Sequence, residues 1–246
     1  MTGFELFNWI HLSTILTIFL VVCVILSLSQ FNWYKLHHMW LGWLIVLVLI
    51  LHSIYLFGYL FYIGQFSLVN NLPFHLCSIS SYLIILTILT KNSILTKVTF
   101  FLTLTGTILA LIMPNLTSND GFGSFGYTEF FVSHSFIIFG FCYLWSSGQF
   151  RLKYRDLWQA YGIMAVYAFF IFTVVNPIFD SNYIYLKEIP QNRSSITFGP
   201  PPWHILNMAW ILLLVMHFQF WIYKKFYRNI ENKSKMVYSD NSLSIQ

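Results

Sequence analysis

Over 246 residues the chain is 57% hydrophobic and 20% aromatic, with only 9% charged residues and a formal net charge of +5. So much apolar surface excludes a soluble globular domain of this length and predicts an all-α, polytopic membrane protein. The positive charge calls for no nucleic-acid partner, because topology and anionic inner-leaflet lipids account for it.

Apolar stretches near the ~20 residues needed to cross a bilayer fall at 10–29, 39–63, 73–90, 98–113, 125–147, 158–179 and 204–224, which predicts seven transmembrane helices. The third and fourth are short, so the fourth is expected to be tilted, broken or only partly inserted. The amino-terminal segment has neither a basic region nor a small-residue cleavage site, so the first span is expected to be retained. Trp9, Trp33, Trp40, Trp145, Trp158, Trp203 and Trp221 fall near span ends, as an interfacial belt does. Residues 1–228 form a single transmembrane domain in this reading, and 229–246, rich in Ser, Asn and Lys, a polar and mobile cytoplasmic tail. There is no internal repeat and no Gly-rich phosphate loop.

Lys35, Lys91, Lys97, Arg151, Lys153, Arg155 and the cluster Lys224, Lys225, Arg228, Lys233 and Lys235 occupy alternate loops. Only Lys187 and Arg193 fall on the other side. Basic residues are retained in short cytoplasmic loops, so the amino terminus is expected outside and the carboxyl terminus inside. The polar residues then divide unevenly. His75, Cys77, Asn115, Asp120, Glu129, His134, Asn176, Asn182, Tyr183, Tyr185 and His204 all lie toward the outer half, in "NNLPFHLCSIS", "MPNLTSNDGFGSF", "GYTEFFVSHS", "NPIFDSNYIYL" and "FGPPPWHIL". The inner face offers basic residues, His37, His38 and aromatics. Ionisable groups at membrane depth face a bundle interior or a wet cavity, so the chemistry is expected at the extracytoplasmic half.

Cysteine becomes a strong nucleophile once deprotonated. His75 is poorly placed to activate Cys77, because positions two apart on a helix diverge by about 200°, and Pro73 suits an early helix start. His134, on a different span at comparable depth, is the better base. Cys77 at a helix start would also feel the positive end of the dipole. The plainer reading sets Cys77 as a small apolar filler and His134 as an interhelical hydrogen-bonding group. Cys23 and Cys142 fit packing alone, and three cysteines on separate spans predict no disulfide framework. His52 and His217 read as packing or interhelical bonding residues, and His11 and His204 as outer-cluster or interfacial ones. Glu129 would orient His134 or bind a cationic head group.

The motifs "LPFHLCSIS", "PNL", "FFVSHSFII", "NPIFDSNYIYLKEIP" and "FGPPPWHIL" occur in the order and spacing of the YwaF-like family of bacterial integral membrane proteins, related to the eukaryotic transmembrane protein 164. The resemblance runs from the second span to the seventh. It implies acyl transfer between membrane lipids, with phospholipid as donor and lyso-phospholipid as acceptor, through a nucleophile matched by Cys77 and a histidine matched by His134. Ser78 departs from the pattern, since bacterial relatives commonly carry an acidic residue there. The implied enzyme is an O-acyltransferase or acyl hydrolase of the cell membrane that works through a thioester and needs no cofactor or metal. His75, Asn115, Asn176, Glu129, Tyr183 and His204 are its substrate-binding or oxyanion candidates. A rival reading makes His75, His134 and His204 zinc ligands of a seven-span lipid hydrolase, although span 7 lacks a pair of histidines four apart. Another makes the outer polar cluster a binding site of a transporter or assembly factor. A retinal protein is disfavoured, since no Lys lies in the interior of span 7.

Overall fold

A computed structural model describes residues 3–117, 119–147, 150–189 and 199–243, those after 225 by backbone alone. Helix α1 (Trp9–Leu28) is followed by a short α2 (Asn32–His37) and by α3 (Met39–Tyr62). Then come α4 (Leu76–Thr90), α5 (Ser93–Ile112), α6 (Phe125–Ser146) and α7 (Tyr154–Phe170). A π-helical turn (Ile171–Val175) joins α7 to α8 (Asn176–Phe179), and a single 3-10 turn (Tyr183–Tyr185) precedes α9 (Trp203–Leu243). Among the described residues, α1, α3, α5, α6, the α7–α8 unit and the first part of α9 are each long and apolar enough to cross a bilayer, while α4 is an apolar helix of 15 residues. The protein is thus an all-helical, multi-pass membrane protein.

Local chemistry sets the starts. The Asn8 side chain accepts the His11 N–H at 2.8 Å, and Asn92 accepts those of Ile94 and Leu95 at 2.9 and 3.0 Å. Ser124 accepts Tyr127 N–H at 3.1 Å. Each satisfies donors that a helix start leaves without intrahelical partners. Asp156 in the first turn of α7 accepts the Lys153 N–H at 2.7 Å and meets Lys97 of α5 at 3.3 Å. Pro177 has no N–H to give the preceding carbonyls, and the helical ladder widens into the π turn just before it.

Two expectations are corrected. The fourth span is of full length: α5 runs for 20 residues and starts at Ser93, because Asn92 caps it there and some of its threonines return their hydroxyls to the helix backbone. Thr96 donates to Asn92 O at 2.8 Å and Thr107 to Thr103 O at 2.7 Å, while Lys97 is neutralised by Asp156. In the third span Pro73 lies before the helix, which begins only at Leu76 after His75 in extended conformation. The polar stretch beyond residue 225 continues as helical backbone to Leu243. Arg193, expected on the outer side, lies outside the described residues.

Successive spans alternate in direction. At one end His11 Nε2 lies 2.9 Å from Leu111 O, joining the start of α1 to the end of α5, and Thr14 Oγ1 meets Tyr127 OH of α6 at 2.6 Å. At the other, Tyr34 OH meets Ser146 Oγ at 2.7 Å and Leu152 N–H donates to Tyr223 OH at 3.2 Å. An aromatic cluster seals this second end, with Phe100 against Phe141, Trp145, Phe150 and Tyr223 at ring distances of 4.9–5.7 Å.

Helices α5 and α6 form the centre, more than half buried (56% and 61%) where the other long spans are 11–22% buried. Helix α4 packs on both. The α4–α6 approach depends on Gly140, where an added Cβ would lie 2.7 Å from Ile84 Cγ2. Gly140→Val is expected to force the two helices apart, costing about 1–3 kcal/mol and lowering the melting temperature in detergent. Gly162→Ala, with no atom within 4 Å of the added Cβ, serves as the control, which keeps or raises it.

Candidate active site

The segment 64–75 returns from α3 to α4 without helical structure, so its backbone polar groups must find partners inside the protein. Tyr183 supplies two: its hydroxyl donates to Leu68 O and accepts the Leu72 N–H, both at 2.9 Å. Tyr167 of α7 donates to Phe74 O at 2.7 Å, and Asn71 accepts the Ser67 N–H at 2.7 Å. Held this way, the chain delivers His75 as the cap residue and Cys77 in the first turn of α4.

The first intrahelical hydrogen bond of α4 runs from Ile79 N–H to His75 O at 3.0 Å, leaving the N–H groups of Leu76, Cys77 and Ser78 without intrahelical partners. The thiol faces the His134 imidazole of α6, to which it is electrostatically coupled. His134 is buried, and its ring is fixed from behind: Nδ1 lies 2.7 Å from Phe130 O and 3.1 Å from Ser133 Oγ, and the ring stacks on Phe130 at 4.0 Å. The short contact to a carbonyl makes Nδ1 the protonated nitrogen, because a carbonyl oxygen only accepts. Nε2, turned toward Cys77, makes no hydrogen bond of ordinary geometry and keeps its lone pair for a proton. The contact is thus close enough for charge coupling, but looser than a formed hydrogen bond, as is common in resting sites.

Both side chains line a cavity of about 490 Å³ bounded by α3–α7, the 184–186 turn and α9. His75, Asn115 and Glu129 also line it. His75 receives the Ile184 N–H on Nδ1 at 3.4 Å and packs edge-on against Tyr183. Glu129 does not orient His134 through a direct contact. Its Oε1 lies 3.2 Å from His52 Nε2 of α3, and His52 lines the cavity as well.

The remaining candidates lie elsewhere. Asn176 is buried, donates to Tyr183 O at 3.2 Å and accepts from Tyr183 N–H and Ser181 Oγ at 2.9 and 3.0 Å. It shapes the loop after α8 and is not available as an oxyanion donor. Tyr183 braces the entry to α4. His204 donates from Nε2 to Tyr185 O at 3.1 Å, bracing the cavity wall without lining it. The expected zinc set of His75, His134 and His204 therefore does not converge, and among the described residues no three His, Cys, Asp or Glu side chains group as a metal site. Cys142 is buried in the core, and His217 meets Tyr154 OH at 3.0 Å between α7 and α9.

His52, which the sequence reads as a packing or interhelical bonding residue, does pair across helices with Glu129; its place in the cavity wall is what the sequence missed. A signal was present: a carboxylate inside a span needs a partner, and His52 lies at a depth that Glu129 can reach.

A family model matches residues 6–220, the stretch that contains every group lining the cavity. The chain belongs to the TMEM164 family. No match was found among curated proteins or among solved structures. Family membership and the six long apolar helices together make this a multi-pass membrane protein.

Tyr183→Phe removes the hydroxyl that serves Leu68 O and Leu72 N–H. Leaving those groups unpaired is expected to cost about 1–3 kcal/mol. It should raise hydrogen–deuterium exchange at Leu72 selectively over the amides of α5.

Proposed function

We propose that this protein is an integral membrane lipid-remodelling enzyme, an O-acyltransferase or acyl hydrolase that works through a thioester on Cys77. The observation that carries the reading is the juxtaposition of Cys77 and His134, brought from two helices to one buried cavity with the acceptor nitrogen of the imidazole turned toward the thiol. His134 Nε2 takes the thiol proton, and the sulfur attacks the ester carbonyl of a phospholipid. His134 then returns the proton to the departing lyso-lipid oxygen. The free N–H groups of the first turn of α4 would receive the oxyanion, with the helix dipole behind them.

Lipid entry from the side of the bundle fits the cavity wall. Ile211 lines the cavity yet is 41% exposed, and Ala165 lines it and is exposed too, so the chamber reaches the outer surface between α7 and α9. A two-tailed lipid can place its ester inside while its chains remain in the bilayer. The basic residues gather at the opposite, aromatic-sealed end, which favours a cell-membrane enzyme with its cavity toward the extracytoplasmic side.

Purified protein in lipid nanodiscs with acyl-labelled phospholipid is expected to acquire a hydroxylamine-sensitive label on Cys77. Cys77→Ala should carry no label and show no turnover, and His134→Ala should load about 100-fold to 10,000-fold more slowly. Wild-type lipid remodelling by Cys77→Ala would refute the reading.

A further inference from the structure

Glu129 is the carboxylate of the cavity. It lies in the second turn of α6, where ionised groups are costly without a partner. Its counterpart is an imidazole, His52, at 3.2 Å. The two are 22% and 12% exposed, and both line the chamber that holds Cys77 and His134. Depth places the two imidazoles on a level. His52 is about 15 Å along α3 from its end at Tyr62, and His134 about 13 Å along α6 from its start at Phe125. The His52–Glu129 contact lies off the line of an ordinary hydrogen bond, so the ring sits beside the carboxylate without being locked by geometry.

Of the three imidazoles lining the chamber, His75 receives the Ile184 N–H, and the other two have different supports. His134 is fixed by a backbone carbonyl and turned to the thiol. His52 stands on α3 with a carboxylate beside it, the arrangement that stabilises an imidazolium once a proton arrives. We propose that His52, supported by Glu129, is the general base for the second half-reaction, taking the proton from the lyso-lipid hydroxyl that discharges the acyl group from Cys77. This rests on the acyl-enzyme reading above.

The proton balance closes. In the first half-reaction the Cys77 proton passes through His134 to the leaving oxygen, so His134 ends neutral. In the second, His52 removes the proton of the acceptor hydroxyl as its oxygen bonds to the thioester carbon. The C–S bond then breaks, leaving a Cys77 thiolate and a His52 imidazolium beside the Glu129 carboxylate. Return of that proton to the thiolate restores both pairs. Under this division the acyl group is loaded at the α4–α6 wall and discharged from the α3 side.

The test separates the half-reactions in nanodiscs, using phosphatidylcholine with a labelled acyl chain as donor and lyso-phosphatidylethanolamine as acceptor. In His52→Gln and Glu129→Gln, transfer of label to the acceptor is expected to slow about 100-fold or more beyond any slowing of loading, so that the thioester accumulates. Hydroxylamine, which attacks thioesters without a base, should discharge it at the wild-type rate from both variants. That rescue is a signature a bracing role would not give. Discharge to the acceptor at the wild-type rate in both variants overturns the proposal. Loss of loading in step with discharge in both also overturns it, since it marks a structural role. Wild-type protein that never acquires label on Cys77 instead sinks the acyl-enzyme itself.

Discussion

Everything at the candidate site depends on the crossing of α4 and α6. Cys77 lies one turn into a helix that begins late, and His134 lies mid-way along one of the two most buried helices, so they meet only if the two axes run close together. The Gly140–Ile84 contact permits this below the site. On the other flank Gly106 of α5 admits Leu76, whose Cβ would lie 3.2 Å from an added Cβ. Small residues that let backbones approach are the usual means of helix association in lipid, where apolar side chains gain nothing by leaving the tails. Here that closeness also sets where the nucleophile stands.

The shortness of α4 serves the same end. Its 15 residues span about 22 Å, against a hydrocarbon core of about 30 Å. The helix start therefore lies below the interface, with its unpaired N–H groups inside the protein. Irregular backbone at that depth is tolerated only where protein or a cavity surrounds it, and tyrosine hydroxyls from the loop after α8 and from α7 meet that requirement. A full-length helix would have carried those N–H groups out to the head groups, where water satisfies them and they attract no substrate.

The spans were legible because each is a long apolar run, and all seven began or ended within a residue of the hydropathy boundaries. The errors came where side chains feed the backbone. The start of α5 reads as polar because its threonine hydroxyls and Lys97 look exposed, yet the hydroxyls bond within the helix and the lysine meets Asp156. The Cys77–His134 pair was legible by matching depths across spans once the alternating loops were set. His52 was not, because its partner is a long carboxylate that reaches inward from a shallower position on another helix. Asn176 and Tyr183 shared the correct end of the bundle, but depth says nothing of direction, and their polar atoms turn toward loop backbone.

The two ends of the bundle differ for a reason that bears on catalysis. At the basic end, edge-packed aromatic rings and the Lys97–Asp156 pair occupy the interior, away from the chamber. The chamber communicates instead with the lateral surface between α7 and α9, a face that meets lipid tails. A thioester in such a place is approached by lipids at high local concentration and by few waters. In the proposed chemistry, selection of a lipid hydroxyl over water would follow from access as much as from recognition, because the chamber opens toward the lipid-facing side.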